Sequence, residues 1–234
     1  MAKELTPEQK KLNTDLWIIV IASMLALVFY IIFQSGITNT IQDSNVNILL
    51  RVLLGAAFQF GTAGLGITIV SVLRRESFIS HGLRVRGVLP SVLLCVLCFV
   101  PYVIFALTTG QASGYLPFQM VWTTEEVLAS GFPANAAGML ITAAAWGFFE
   151  GFNYVVISDK INKRYPSKNR WLNWGAIVSA ILCILIHGAV GVNLASIIEM
   201  FSIMIIIYGM LIVRERTGNA WGCVFIFVFL WNAF

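Results

Sequence analysis

Charged residues are scarce in this chain. Asp, Glu, Lys and Arg make up 11% of its 234 residues, whereas an ordinary soluble domain has about 25%. Apolar residues make up 59% and gather in long continuous runs. Such runs exclude the alternating pattern of a membrane β-barrel, and helices are then the structure that satisfies the backbone in lipid. The composition therefore predicts an all-α, multi-pass membrane bundle.

Metal-ligand patterns are also scarce. The chain has two histidines, four cysteines and no HExxH segment. Cys95 and Cys98 have CxxC spacing, but no second pair of ligands accompanies them. All four cysteines lie in apolar runs, which is typical of packed thiols. We therefore expect no metal ion and no cofactor.

Seven apolar runs are each near the ~20 residues that a helix needs to cross a bilayer. The first is too long for a signal-peptide core, so we expect it to be retained. Residues 1–15 form a polar segment before it, and residues 16–234 form a single bundle domain. The predicted spans are Leu16–Phe33, Ile48–Leu73, Val88–Thr108, Ala134–Ser158, Trp171–Ala189, Asn193–Val213 and Gly218–Phe234.

Basic residues alternate between the two sides of the predicted bundle. They cluster in the N-terminal segment and in the loops after the second, fourth and sixth spans, while the other loops are acidic or neutral. The positive-inside rule then predicts a cytosolic N-terminus and an outside C-terminus. The net charge of +4 therefore indicates topology and contact with membrane lipid, and we expect no nucleic acid as a partner.

Two adjacent acids, Glu125 and Glu126, lie in the long loop after the third span. Thr123 precedes Glu126 by three residues, the spacing of a helix capping box. We therefore interpret these acids as part of a short loop helix on the outside.

Ionisable residues inside the predicted spans are Glu150, His187 and Glu199. An acid in lipid is costly and is by default a functional candidate. Helical spacing of three and four residues brings Asn153 and Tyr154 to the same face as Glu150. That face can direct a carboxylate, an amide and a phenol toward one place.

Depth decides whether the polar residues of different spans can meet. With a rise of about 1.5 Å per residue, Glu150 lies roughly 12 Å from the cytosolic end of its span. On the same scale, His187 lies roughly 20–24 Å deep and Asn232 roughly 21 Å deep. Helix tilt of about 20° can close much of this difference. The depths permit one shared cavity.

Structural alternatives exist for the same residues. Gly147 and Gly151 form a GxxxG element, which often marks close helix packing. A protonated Glu150 could simply hydrogen-bond across helices, and His187 could be a satisfied interface histidine. Both alternatives stay open on the sequence.

Four segments in order carry a resemblance to a known family. They are 81–90 (HGLRVRGVLP), 150–155 (EGFNYV), His187, and 214–221 (RERTGNAW) followed by Asn232. They resemble the basic helix entry, the EExxxR motif, the FxxxH motif and the RTGSLW-to-HxxxN segment of the CPBP family. This family contains the CAAX proteases and bacteriocin-processing membrane proteins, and is also called Abi. The similar region covers about residues 77–234.

The resemblance implies an intramembrane protease with a helical fold. In the family, the first Glu and a His activate water for attack on a peptide bond, and a His and an Asn hold the oxyanion. Glu150 and His187 would then form the base-side pair and Asn232 would be an oxyanion donor. Asn153 and Tyr154 would support the site.

Departures from the family pattern fall on catalytic positions. Gly151 replaces the second Glu, Val155 replaces the Arg and Val228 replaces the second His, while Cys183 stands at the Phe. Loss of one oxyanion donor typically lowers the rate about 10²–10³-fold. The sequence therefore leaves activity open.

Three functions follow as alternatives. The first is an endopeptidase that cleaves a peptide or lipidated protein with water activated by Glu150. The second is an inactive pseudoprotease that binds a peptide, a lipid or a membrane-protein partner. The third is a small proton-linked permease that uses Glu150 and Glu199, although no inverted repeat supports it.

Overall fold

The computed structural model describes residues 4–112, 114–169, 171–187 and 194–234, with side chains described except at 186, 187 and 194–196. All regular secondary structure in these ranges is helical. Eight helices are described, with bounds α1 Pro7–Gln42, α2 Ile48–Arg74, α3 Val88–Thr108, α4 Thr124–Ala129, α5 Ala134–Arg164, α6 Trp174–His187, α7 Leu194–Thr217 and α8 Trp221–Phe229.

Five described helices are long and apolar enough to cross a membrane: α1, α2, α3, α5 and the part of α7 from Ile197 to Thr217. The prediction of a multi-pass helical bundle is confirmed at this level. The predicted fifth and seventh spans correspond to the shorter helices α6 and α8. The count of seven spans and the orientation of the termini therefore stay predictions.

Helix α1 begins earlier and ends later than the predicted first span. Thr6 accepts a hydrogen bond from the backbone of Gln9, the Gln9 side chain returns one to Thr6, and Pro7 occupies the first turn. This capping box starts the helix within the segment that was predicted only as polar. Asp15, at the end of that segment, is fully buried rather than solvated.

Helices α2 and α5 each contain a widened π-helical turn near their middle, at Phe60–Gly64 and Ala143–Phe149. The two turns contact each other across the bundle, with Phe149 edge-on to Phe60 at 4.8 Å between ring centroids. Such turns are rare and frequently lie at functional sites. They place the side chains that flank them, Gln59 and Glu150, on facing helices.

Helix α5 is the centre of the bundle. Its residues Phe152, Val155 and Val156 are fully buried, and it contacts α1, α2, α6, α7 and α8. Helix α6 approaches α5 closely because Gly175 lies on the backbone of Ser158, where a methyl group would come within 2.3 Å of the carbonyl oxygen. The candidate site residues of α5 therefore face other helices.

Helix α4 docks on α2 through an ion pair. Arg51, whose side chain is 3% exposed, donates to both carboxylate oxygens of Glu126 at 2.6 and 2.8 Å, and to the carbonyl oxygen of Ile41 at 2.6 Å. The hydrogen bond from Arg51 lowers the pKa of Glu126. Thr123 makes no side-chain cap, so the predicted capping box was wrong. Glu126 instead turns toward Arg51 in α2.

Candidate functional site

Glu150 is a buried carboxylate at the end of the π-turn of α5. Its Oε2 atom accepts a hydrogen bond from Nε2 of Gln59 at 2.6 Å. Gln59 lies immediately before the π-turn of α2. The two irregular turns therefore hold one carboxylate–amide pair between facing helices, which satisfies part of the hydrogen-bonding need of an acid in an apolar setting.

Aromatic rings flank this pair. Phe149, next to Glu150 in the chain, packs on Phe60, and Phe148 stacks on Phe152 with centroids 5.4 Å apart. Phe78, from the 3₁₀ turn after α2, packs on Phe152 at 5.1 Å. The rings lower the local polarity, so the Glu150–Gln59 hydrogen bond is stronger than it would be in water.

Tyr154 joins α5 to α6. It is buried, its hydroxyl lies near the thiol of Cys183, and both groups lie within electrostatic range of Glu150. Cys183 precedes His187 by one helical turn in the sequence. The side chain of His187 lies outside the described residues, so its pairing with Glu150 stays a prediction.

Asn153 presents a buried acceptor. Its Oδ1 atom has no hydrogen-bond partner among the described residues. An unpartnered buried acceptor costs roughly 1–3 kcal/mol, so a hydrogen-bond donor that reached Asn153 would be stabilised there. The supporting role predicted for Asn153 stays a prediction.

Asn232 lies at a different level of the bundle from Glu150, toward the N-terminal end of α5. Helices α5 and α8 are antiparallel, with Gly151 against Phe227 and Gly147 against Val228. Asn232 follows Val228 by four residues and lines a cavity together with Glu199. Its backbone carbonyl accepts a hydrogen bond from Met120 at 3.2 Å. Its predicted role as oxyanion donor to the Glu150 site stays a prediction.

The three positions that depart from the family pattern are closed by packing. A methyl group at Gly151 would lie 2.9 Å from Cδ2 of Phe227 and 3.1 Å from the carbonyl oxygen of Cys223. Val155 is fully buried in the core. Val228 fills the space over Gly147, where a methyl group would come within 2.5 Å of its Cγ2 atom.

Sequence reasoning missed a charged cluster at the far end of α5. We define it as Asp15, Arg74, Glu76, His81, Asp159, Lys160, Lys163 and Arg214. Lys160, with a side chain 2% exposed, donates to Asp15 and to Glu76, both at 2.9 Å. Arg74 donates to the second oxygen of Asp15 at 2.6 Å. These contacts join α1, α2 and α5.

The other half of the charged cluster centres on Asp159. It pairs with Nδ1 of His81 at 3.0 Å, with Lys163 at 2.8 Å and with Arg214 of α7 at 3.0 Å. Arg214 also donates to the backbone carbonyl of His81 at 3.1 and 3.2 Å. Only the Asp159–Lys163 spacing of four residues was readable from the sequence.

In the described part of the chain, no group of three His, Cys, Asp or Glu side chains is arranged to hold a metal ion. Comparison with known proteins gives no relative: no family model, curated protein or solved structure matches the chain. The resemblance to the CPBP family therefore rests on the residues themselves.

Proposed function

We propose that the protein is a membrane-embedded, CPBP-like pseudoprotease, which binds a peptide segment of a membrane partner without cutting it. One observation carries the proposal: the positions of the second Glu, the Arg and the second His are packed shut. Gly151 and Val228 lie in a tight apolar contact between α5 and α8, and Val155 is fully buried in the core. A hydrolytic centre needs water and charge at those positions.

The polar face of α5 supports binding. Asn153 offers a buried acceptor without a partner among the described residues, and it lies one helical turn from Glu150. An acceptor in an apolar surrounding favours a ligand with an unsatisfied donor, such as a backbone N–H of an unwound segment. Glu150 and Gln59 then help to shape the face rather than activate water.

Peptide cleavage in proteoliposomes tests the proposal. Wild type and Glu150→Gln would be incubated with membrane peptides and lipidated tails, and products would be identified by mass spectrometry. We expect the two proteins to give the same product profile, and a bound peptide to be retained by both. Products that appear only when Glu150 is present would contradict the proposal.

A residual hydrolase is the second candidate, because the Glu150 carboxylate is both buried and oriented. Gln59 engages Oε2, and among the described residues no hydrogen bond to Oε1 is found. That oxygen could accept a proton from water as a general base. A Gln59→Leu variant separates the candidates: a hydrolase would lose rate with it, whereas a pseudoprotease has no rate to lose.

A further inference from the structure

A second polar site lies in a cavity of about 320 Å³, away from Glu150. Its walls come from α3, from α7, from the segment after α8, and from Met120 in the loop between α3 and α4. The size is at the small end of ligand pockets, which span about 300–1,000 Å³. The cavity therefore fits a small molecule or one lipid headgroup.

Aromatic side chains form much of the wall. Phe99 and Tyr102 from α3 meet Trp231 and Phe234 from the C-terminal segment around the cavity. The rings of Phe99 and Tyr102 are 5.3 Å apart, and those of Phe99 and Phe234 are 6.3 Å apart. The face of an aromatic ring carries negative quadrupole potential, so a cluster of rings around a cavity favours a cation.

One carboxylate completes the cavity. Among the described lining residues Glu199 is the only charged one, and the Tyr102 hydroxyl lies within its electrostatic range. Within the described ranges no Lys, Arg or His forms an ion pair with Glu199. The sequence of 188–193, which precedes α7, contains no basic residue. Within the described ranges the carboxylate therefore has no cationic partner, although an acid in a span usually has one.

We infer that this cavity binds an organic cation, with an alkylated ammonium group between the aromatic rings and the Glu199 carboxylate. A quaternary ammonium suits the site because it carries charge without hydrogen-bond donors that the rings could not satisfy. The Asn232 amide at the rim can accept or donate a hydrogen bond to a hydroxyl or ester of the same ligand. This site goes beyond the proposed function, since it depends on neither Glu150 nor peptide binding.

Choline is the probe that tests the inference. Isothermal titration of the purified full chain in nanodiscs of phosphatidylglycerol would compare choline with 3,3-dimethylbutan-1-ol, which has the same shape and no charge. We expect choline to bind at least about tenfold more tightly, because cation–π and ion-pair attraction act only on the charged ligand. Equal affinities, or no binding of choline, would overturn the inference.

Two matched variants locate the bound cation. Glu199→Gln keeps the shape of the side chain and removes its charge, so choline affinity should fall at least about tenfold. Glu125→Gln removes the same charge from the exposed outer loop helix, and should leave choline affinity unchanged. Equal effects of the two substitutions would show that only the overall charge matters, and would contradict the site.

The rings are tested at Tyr102. Tyr102→Leu removes the ring and should weaken choline severalfold, whereas Tyr102→Phe retains the ring and should bind nearly as wild type. Unchanged affinity in Tyr102→Leu would exclude an aromatic contribution and overturn this part of the inference. The wild-type comparison of choline with its neutral analogue decides the matter even where a variant fails to fold.

The same ammonium chemistry can come from a free metabolite or from a lipid headgroup. Replacing phosphatidylglycerol with phosphatidylcholine in the nanodiscs separates these sources. If free cations are the ligands, choline affinity will be the same in both lipids. If the headgroup is the ligand, phosphatidylcholine will compete and choline binding will vanish, and Glu199→Gln will lower the amount of phosphatidylcholine that remains bound after delipidation.

Discussion

The two halves of α5 bury charge in different ways. Near its end, Lys160 pairs with the carboxylates of Asp15 from α1 and of Glu76 from the segment after α2. Asp159 pairs with cations of α5 and α7 and with the imidazole of His81. Near its middle, Glu150 has one neutral partner among the described residues, Gln59. In the charged cluster, charged side chains are paired with charged side chains. At Glu150, the acid is hydrogen-bonded to a neutral amide.

The charged cluster is therefore a structural contact between helices, whereas the region around Glu150 is a candidate site. Each acid of the charged cluster pairs with a base, so the cluster holds helices together. Among its described side chains, the Nε2 atom of His81 is buried without a hydrogen bond. Beside the Glu150–Gln59 pair, the buried acceptor of Asn153 has no hydrogen bond among the described residues. Unsatisfied polar groups in an apolar surrounding are where ligands bind and where stability is sacrificed.

Disrupting the charged cluster should have the largest effect on stability. Lys160→Met leaves Asp15 and Glu76 without the buried cation that bridges them. We expect a loss of about 3–5 kcal/mol in the free energy of unfolding, since the fully buried Asp15 loses one of its two cationic partners and keeps only Arg74. Thermal unfolding in detergent measures this loss.

Lys163→Met is the matched control for Lys160→Met within the charged cluster. Lys163 lies one turn away and pairs with Asp159, but its side chain is 57% exposed. We expect a loss below about 1 kcal/mol, because exposed ion pairs contribute little. A loss as large as that of Lys160→Met would contradict the claim that the buried Lys160 pairs stabilise the charged cluster more than the exposed Lys163 pair.

The Glu150 pair should give an intermediate effect with a distinctive non-additivity. Gln59→Leu removes the partner of a buried acid, and we expect a loss of about 1–3 kcal/mol. Adding Glu150→Leu removes the acid as well, so the double variant should be more stable than Gln59→Leu alone. Urea unfolding of the two singles and the double gives the coupling energy, and simple additivity would rule out the direct contact.

The closed contact between α5 and α8 is tested with one methyl group. Gly151→Ala places that group 2.9 Å from Phe227 and 3.1 Å from a backbone oxygen, so we expect a loss of about 1–3 kcal/mol. Gly36→Ala in α1 meets nothing within 4 Å and should gain up to about 1 kcal/mol. If both variants gained stability in thermal unfolding, the contact would be looser than described.

The smallest effect is expected at the Arg51–Glu126 pair and should depend on pH. Arg51 lowers the pKa of Glu126, so the pair stabilises the fold above the unfolded-state pKa of about 4.3. The contribution is lost as pH falls through the lower folded-state pKa. We expect Glu126→Gln to lower the Tm slightly at pH 7 and to match wild type once Glu126 is protonated. A difference that grew on acidification would have the wrong sign.

The helical class was predictable because hydropathy is a local property of the chain. Five spans and the position of Glu150 in an apolar helix follow from composition and length alone. Partners were not predictable, since Gln59 is 91 residues from Glu150 and Asp15 is 145 residues from Lys160. Arg51 was overlooked inside a predicted span because its compensating acid lies in a loop helix 75 residues away.

The π-turns were equally hidden. The GxxxG element at Gly147 suggested close helix packing, but a widened turn depends on the fit of two helices and not on one helix alone. That fit is what places Gln59 opposite Glu150. The sequence could therefore indicate the acid and not its geometry.

Water access to position 155 tests the central claim most directly, because the family-like Arg would stand there and Val155 is fully buried. Val155→Cys, in a chain whose four native cysteines are replaced by alanine, would be treated with a water-soluble maleimide in sealed membranes and in detergent. Val85→Cys, at a position 92% exposed, is the reactive control. We predict rapid labelling at position 85 in detergent and none at position 155 in either condition. Comparable labelling at the two positions would show water access to the buried face of α5, and would contradict the account of a closed, non-hydrolytic site.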